Sequence, residues 1–120
     1  MVRALARRWA RFTDAGRGVR LFFASGFHPR VHGCAAALVV AAGFVLDVSR
    51  SEWIALVLAM TAVLVAEAAN TALEVLADAV TQEFHPLIGR AKDLGAGMVL
   101  LAVAGAVAVG ILVFAPHVFG

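Results

Sequence analysis

Glu67, Asn70, Glu74 and Asp78 recur along one apolar stretch of this sequence, Glu-x-x-Asn-x-x-x-Glu-x-x-x-Asp. On an α-helix these spacings fall within an arc of about 80°, so all four polar groups share one face. The rest of that segment is Ala, Leu and Val. A carboxylate placed inside a bilayer costs on the order of 2.5–3.5 kcal/mol even on the mildest scale, so a face of this kind implies something that pairs with it. Glu74 and Asp78, one turn apart, suit a hard divalent cation such as Mg²⁺, which takes oxygen ligands, keeps several waters and shares phosphate oxygens. The plainer alternative is a polar seam in which protonated or hydrogen-bonded carboxyls hold helices together.

A second group follows directly: Glu83-Phe84-His85-Pro86, then Arg90-Ala91-Lys92-Asp93. Lys92 is the only lysine of the chain. A lysine and an aspartate at the start of a helix, on the same side as the acidic face, could hold nucleotide phosphates; equally, Arg90 and Lys92 could serve only to fix topology. The sequence has no Walker-type phosphate loop, no glycine-rich kinase loop and no nucleophile elbow. His32 and His85 lack zinc spacing, and His28 and His117 read as interfacial residues. Cys34, the one cysteine, excludes an internal disulfide and reads as a small packing residue. Gly95 and Gly97 flank Ala96 at the start of an apolar run, where small residues allow helices to approach closely.

The elements that must position these groups are membrane helices. The 120 residues are 62% hydrophobic, with mean hydropathy +0.93, against about half apolar for a soluble domain. Three apolar runs are long enough to cross a hydrocarbon core, which takes roughly 20 residues; they are assigned to 30–48, 53–80 and 94–115, in a single domain spanning 1–120. At 1.5 Å per residue Glu67 lies ~21 Å beyond Trp53, inside the bilayer, and Glu74 lies near its far edge. The connections are Leu46 to Glu52 and Thr81 to Lys92, the latter with Pro86 and Gly89 as helix breakers. Residues 3–24 form an amphipathic pattern, with Leu5, Trp9, Phe12, Gly16, Val19 and Phe23 opposite Arg3, Arg7 and Arg11, and are assigned, within a segment 1–29 that includes a hinge, to a helix lying on the membrane surface.

Seven of the ten basic residues lie in the first 30. In a membrane protein such an arm points to anionic headgroups, and with no base-reading module in the sequence no nucleic-acid partner is expected. The second connection carries Arg90 and Lys92, and the C-terminus carries neither Lys nor Arg. The positive-inside rule therefore puts the N-terminus, the second connection and the acidic end of the middle span in the cytoplasm. No secretory cleavage pattern follows the first apolar run, and the chain is expected to be retained whole.

The stretch from Glu67 to Leu101, EAANTALEVLADAVTQEFHPLIGRAKDLGAGMVLL, resembles the signature of the small prokaryotic diacylglycerol kinase family, which includes undecaprenol kinases. The Glu-x-x-Asn-[Ser/Thr]-Ala-[Ile/Leu]-Glu motif, the acidic position after it, Glu-[aromatic]-His and Ala-Lys-Asp are all present at matching spacing. The likeness extends to Arg17-Gly18, Arg20, Arg30, His32 and Glu52-Trp53. It implies an all-α integral membrane enzyme of the bacterial inner membrane, three transmembrane helices plus the surface helix, assembled as a homotrimer with active sites between subunits. It implies ATP and Mg²⁺ as cofactors and a lipid alcohol as substrate. By this resemblance Glu67 would be the general base, with Asn70 and Asp78 organising the site. Glu74 would bind the metal. Arg7, Glu83, His85, Lys92 and Asp93 would hold the nucleotide, and Arg20 and Arg30, with Glu67, would meet the lipid. Glu52-Trp53 and His85-Pro86-Leu87 look more like the Gram-positive branch, which points to undecaprenol over diacylglycerol.

One departure stands out. Where the family usually has a second metal-binding glutamate, six residues before His32, this chain has Gly26, and His28 stands where asparagine is common. An inactive structural relative is therefore one alternative to a kinase. A small transporter or channel subunit using Glu67 as a proton or cation site is another.

Overall fold

The structure, a computed structural model, describes the backbone of residues 2–120 and the side chains of residues 10–120. Four helices account for nearly all of it: α1 (Val2–Ala24), α2 (Phe27–Val45), α3 (Arg50–Val80) and α4 (Pro86–Phe119). There is no strand among the described residues, and α2, α3 and α4 are each long and apolar enough to cross a membrane. The all-α architecture of three spans preceded by an amphipathic helix is the one the sequence pattern implies.

Short local signals set the turns. α2 starts at Gly26 in extended backbone, and Pro29 falls in the first turn, where no N–H has an intrahelical partner to lose. At its other end, the N–H of Val48 bonds the Gly43 carbonyl at 3.1 Å and the N–H of Asp47 the Phe44 carbonyl at 3.4 Å. These two bonds form a Schellman motif, and Asp47 occupies its left-handed position at φ 51°. Aspartate is among the few non-glycine residues that accept this conformation.

One residue later Ser49 caps α3 through a capping box. Its hydroxyl accepts from the Glu52 N–H at 3.3 Å, and the Glu52 carboxylate accepts from the Ser49 N–H at 2.7 Å, a cap worth roughly 1 kcal/mol. Hydrogen bonding of the Glu52 carboxyl to Ser49, to its backbone N–H first and its hydroxyl second, holds that carboxyl below the usual carboxylate range, with a smaller contribution from His117.

The first connection thus shrinks from Leu46–Glu52 to the four residues before Arg50. The second shrinks further. Pro86 does not break a helix but opens one, at the first helical position, where its fixed φ is an advantage. His85 caps it, with Nδ1 accepting from the Leu87 N–H at 3.3 Å. Arg90, Lys92 and Asp93 consequently lie on the first turns of α4 and not in a loop.

The most extensive packing is α4 along α3; α2 meets α3 less, and α1 meets α2 least. A small core of Val48, Leu56 and Val113 closes the end near the first connection, with Trp53 and Phe114 packed on it. Gly43 makes room for Trp53, whose ring a Cβ there would approach to 2.6 Å. Beside them, Glu52 meets His117 Nε2 at 3.2 Å, tying the start of α3 to the end of α4.

The radius of gyration is 18.0 Å, against about 14 Å for a compact domain of this length. The chain exposes 9046 Å², whereas a water-soluble monomer of this mass exposes roughly 6200 Å². Most of the apolar surface of the spans therefore needs a cover that the single chain does not supply. Cys34, read from the sequence as a packing residue, faces outward from α2 because that side of the helix has no neighbour within the chain. α3 and α4 are ~46 Å and ~51 Å long at 1.5 Å per residue, well beyond a core of about 30 Å, so a stretch of each must stand outside hydrocarbon.

Candidate functional site

The acidic face of α3 turns towards α2 at one level and α4 at the next. Glu67 is 7% exposed, the one buried charged side chain among the described residues. Its Oε1 lies 2.8 Å from Nε2 of His32 on α2. One turn on, Asn70 donates from Nδ2 to Oε1 of Glu74 at 3.1 Å. Asn70 Oδ1 is buried with no hydrogen-bond partner and lies directly against Gly95 of α4, where any Cβ would collide with it. One turn further, Lys92 of α4 donates from Nζ to Oδ1 of Asp78 at 2.7 Å. Lys92 stands ahead of the apolar stretch of α4, and the hydrogen bond to Asp78 pushes its pKa above the usual lysine value, with Coulombic attraction from Asp78 and Glu74 behind it. It is therefore a fixed positive charge next to two carboxylates, Asp78 and Glu74.

The structure brings Glu67, Asn70, Glu74, Asp78 and Lys92 into one strip. Other expected site residues stand apart from it within a single chain. Glu83 is exposed in the short connection. His85 spends Nδ1 on its cap, which places the hydrogen of a neutral ring on Nε2 and leaves that atom a donor. Asp93 lines a shallow depression with Arg90, Leu94 and Gly97. Arg30 donates from Nε to the Phe23 carbonyl at 3.2 Å, bracing the α1–α2 hinge, and Arg20 is exposed on α1. Arg7 lies outside the residues whose side chains are described.

Among the described residues no three His, Cys, Asp or Glu side chains converge as a metal site. Mg²⁺ does not require such a cage. One or two carboxylates with phosphate and water suffice, and Glu74, with one oxygen held by Asn70, presents that kind of donor.

Two participants went unread in the sequence. His32 was noted for lacking zinc spacing and within the family likeness, with no role assigned, yet a lone imidazole just inside an apolar run is itself a signal for an intramembrane partner. Gly95 was read as a generic small residue, whereas it makes room for one specific side chain. Gly95→Ala should leave the fold intact, since only the end of the Asn70 side chain must swing aside, but it breaks the Asn70–Glu74 bond. A hydrogen bond to a charged group is worth enough that any activity resting on Glu74 should fall about tenfold or more, at an unchanged melting temperature in detergent.

Comparison with known proteins gives a consistent result. The model of the family described as prokaryotic diacylglycerol kinase matches residues 13–114. The undecaprenol kinase of Bacillus subtilis (strain 168) is 33% identical over 112 residues, covering 93% of this chain and 91% of the relative. The diacylglycerol kinase of Escherichia coli (strain K12) is 34% identical over 91 residues, covering 76% and 75%. The diacylglycerol kinase of Synechocystis sp. is 38% identical over 100 residues, covering 82% of this chain and 57% of the relative.

Proposed function

Because the chain belongs to the prokaryotic diacylglycerol kinase family, we propose that it transfers the terminal phosphoryl group of ATP to the hydroxyl of a lipid alcohol dissolved in the bacterial inner membrane. Lipid phosphorylation is the activity that the family and the kinase relatives support. ATP with Mg²⁺ as the donor, and undecaprenol before diacylglycerol as the acceptor, are the finer parts of this reading. The observation that carries it is the placement of Lys92 on Asp78, one turn along the same face from Glu74 and two from the Asn70 carboxamide that holds it, with the buried Glu67 at the inner end.

Phosphoryl transfer asks for little covalent chemistry from a protein. It needs alignment, neutralised phosphate charge and a base at the attacking oxygen. Glu67, at membrane depth, takes the proton of the lipid hydroxyl. Glu74 would hold the metal, which when bound would neutralise phosphate charge. Asn70 fixes Glu74, and Asp78 fixes Lys92. The three N–H donors of Lys92 let it keep Asp78 while reaching a phosphate oxygen. Glu83, His85 and Asp93, with Arg7 of the surface helix, complete the nucleotide site, and Arg20 and Arg30 meet the lipid headgroup. The excess apolar surface of the single chain supports assembly as a homotrimer, in which a neighbouring copy brings the separated groups together. The basic surface helix and the α3–α4 turn face the cytoplasm, where ATP is.

A transporter using Glu67 has no need of the Lys92–Asp78 pair, and nothing in the comparisons favours it. The deciding measurement is transfer of labelled phosphate from ATP in mixed micelles to undecaprenol or diacylglycerol, with Glu67→Gln as the control. Failure of the wild-type chain with every lipid alcohol ends the kinase reading.

Gly26 bears on the metal. Its backbone is ordinary extended chain at φ 167°, and a Cβ there meets nothing within 4 Å, so a side chain fits without strain. If the family's second metal carboxylate belongs at this position, Gly26→Glu should lower the Mg²⁺ concentration for half-maximal rate by about tenfold, in line with one added charged oxygen ligand. An unchanged Mg²⁺ dependence places the metal elsewhere.

A further inference from the structure

We propose that His32 is a positioning residue for Glu67: it holds the carboxylate in one orientation and keeps its second oxygen turned to the substrate hydroxyl. This rests on the reading of Glu67 as the base. Each other polar group on the α3 face has its own partner: Asn70 pairs with Glu74, and Asp78 with Lys92. Among the described residues Glu67 has His32 alone, at 2.8 Å from Nε2 to Oε1. A carboxylate 7% exposed needs such a partner, since a buried charge left uncompensated is strongly destabilising.

A second observation locates the imidazole functionally. His32 is also the one polar residue in the lining of an apolar cleft of about 280 Å³ between α2, α3 and α4, whose other walls include Val39, Met60, Val103 and Phe114. It therefore stands between the carboxylate and apolar space.

Orientation matters because the terminal torsion of a glutamate is broad and roughly two-fold, while a base must come within about 2.6–3.2 Å of the proton it removes. A contact to Oε1 from a different helix removes that freedom and leaves Oε2 for the hydroxyl. His32 itself neither gives nor takes the transferred proton.

Two replacements of His32 separate this role from mere packing. Leucine fills space without a donor. Glutamine carries an amide N–H near the position of the imidazole Nε2. With lipid and nucleotide saturating, His32→Leu should lower kcat by about 100-fold, the scale of a misplaced catalytic group, with both KM values within about threefold, and His32→Gln should recover to within about fivefold of wild type. Equal impairment of the two variants, or a His32→Leu kcat close to wild type, overturns the proposal. Nitrogen-15 NMR of the His32 ring in lipid bilayers gives a readout without turnover. The Nε2 resonance should move when Glu67 is replaced by glutamine; a resonance that stays put means no contact and rejects the proposal. If wild type transfers no phosphate to any lipid alcohol while the resonance does move, the kinase reading has failed and the His32–Glu67 contact has not.

Discussion

Glu67→Gln should abolish turnover, by about 10²–10⁴-fold in kcat, the usual contribution of a positioned general base, while the protein stays folded. The substitution is nearly isosteric and keeps an oxygen facing His32, so packing of α2 on α3 survives. It also removes a charge from a position only 7% exposed, so unfolding resistance in detergent should hold or rise, because a buried charge carries a desolvation penalty that an amide does not. Lipid and nucleotide KM should change little, since a general base acts on the proton in flight and not on ground-state binding. The paired measurement is steady-state phosphorylation against thermal unfolding. A variant that keeps more than a tenth of wild-type kcat removes Glu67 from the role of base, whatever its stability.

How far such effects could be read before any coordinates differs by element. The three spans and the amphipathic α1 follow from apolar run length and three- and four-residue spacing, which are local features of the residue order. The ends of the helices did not, although the signals were present. Ser49-x-x-Glu52 is a capping box, and His85-Pro86 is a cap followed by a first-turn proline. Reading Pro86 as a breaker carried the connection through to Lys92, so its direction towards Asp78 could not be argued; on the first turns of α4 that direction is fixed.

Within the site, the strip from Glu67 to Asp78 was legible because it lies on one helix, and helical geometry alone fixes which residues share a face. The contacts between helices were not. His32 to Glu67 joins α2 to α3 across 35 positions, and Gly95 to Asn70 joins α4 to α3. Periodicity says which face is polar, but only packing says which neighbour it meets. Glu52 with His117 is the same case at the opposite end of the spans. Glu83, His85, Asp93, Arg20 and Arg30, assigned by resemblance, remain apart from the strip in one chain, and bringing them to it is the work proposed for neighbouring subunits.

Lys92→Ala should weaken nucleotide binding by roughly 100-fold with almost no effect on folding. Lys92 and Asp78 are 41% and 57% exposed, and an ion pair that open to water adds little to stability. Its weight lies in the cation: a charge-assisted hydrogen bond to a phosphate oxygen is about twice as strong as a neutral one, and with no other lysine in the chain no neighbouring ammonium can take its place. Replacement by arginine should restore only part of the affinity, because a planar fork cannot copy a compact ammonium with three rotatable donors held on Asp78. Asp78→Asn provides the converse. The lysine keeps its charge but loses its anchor, so nucleotide KM should rise less than in Lys92→Ala while kcat falls through misalignment. Equilibrium binding of a non-hydrolysable ATP analogue separates the two effects. Equal affinity in wild type and Lys92→Ala would remove the α3–α4 junction from the nucleotide site and leave the Lys92–Asp78 bond as a tie between helices.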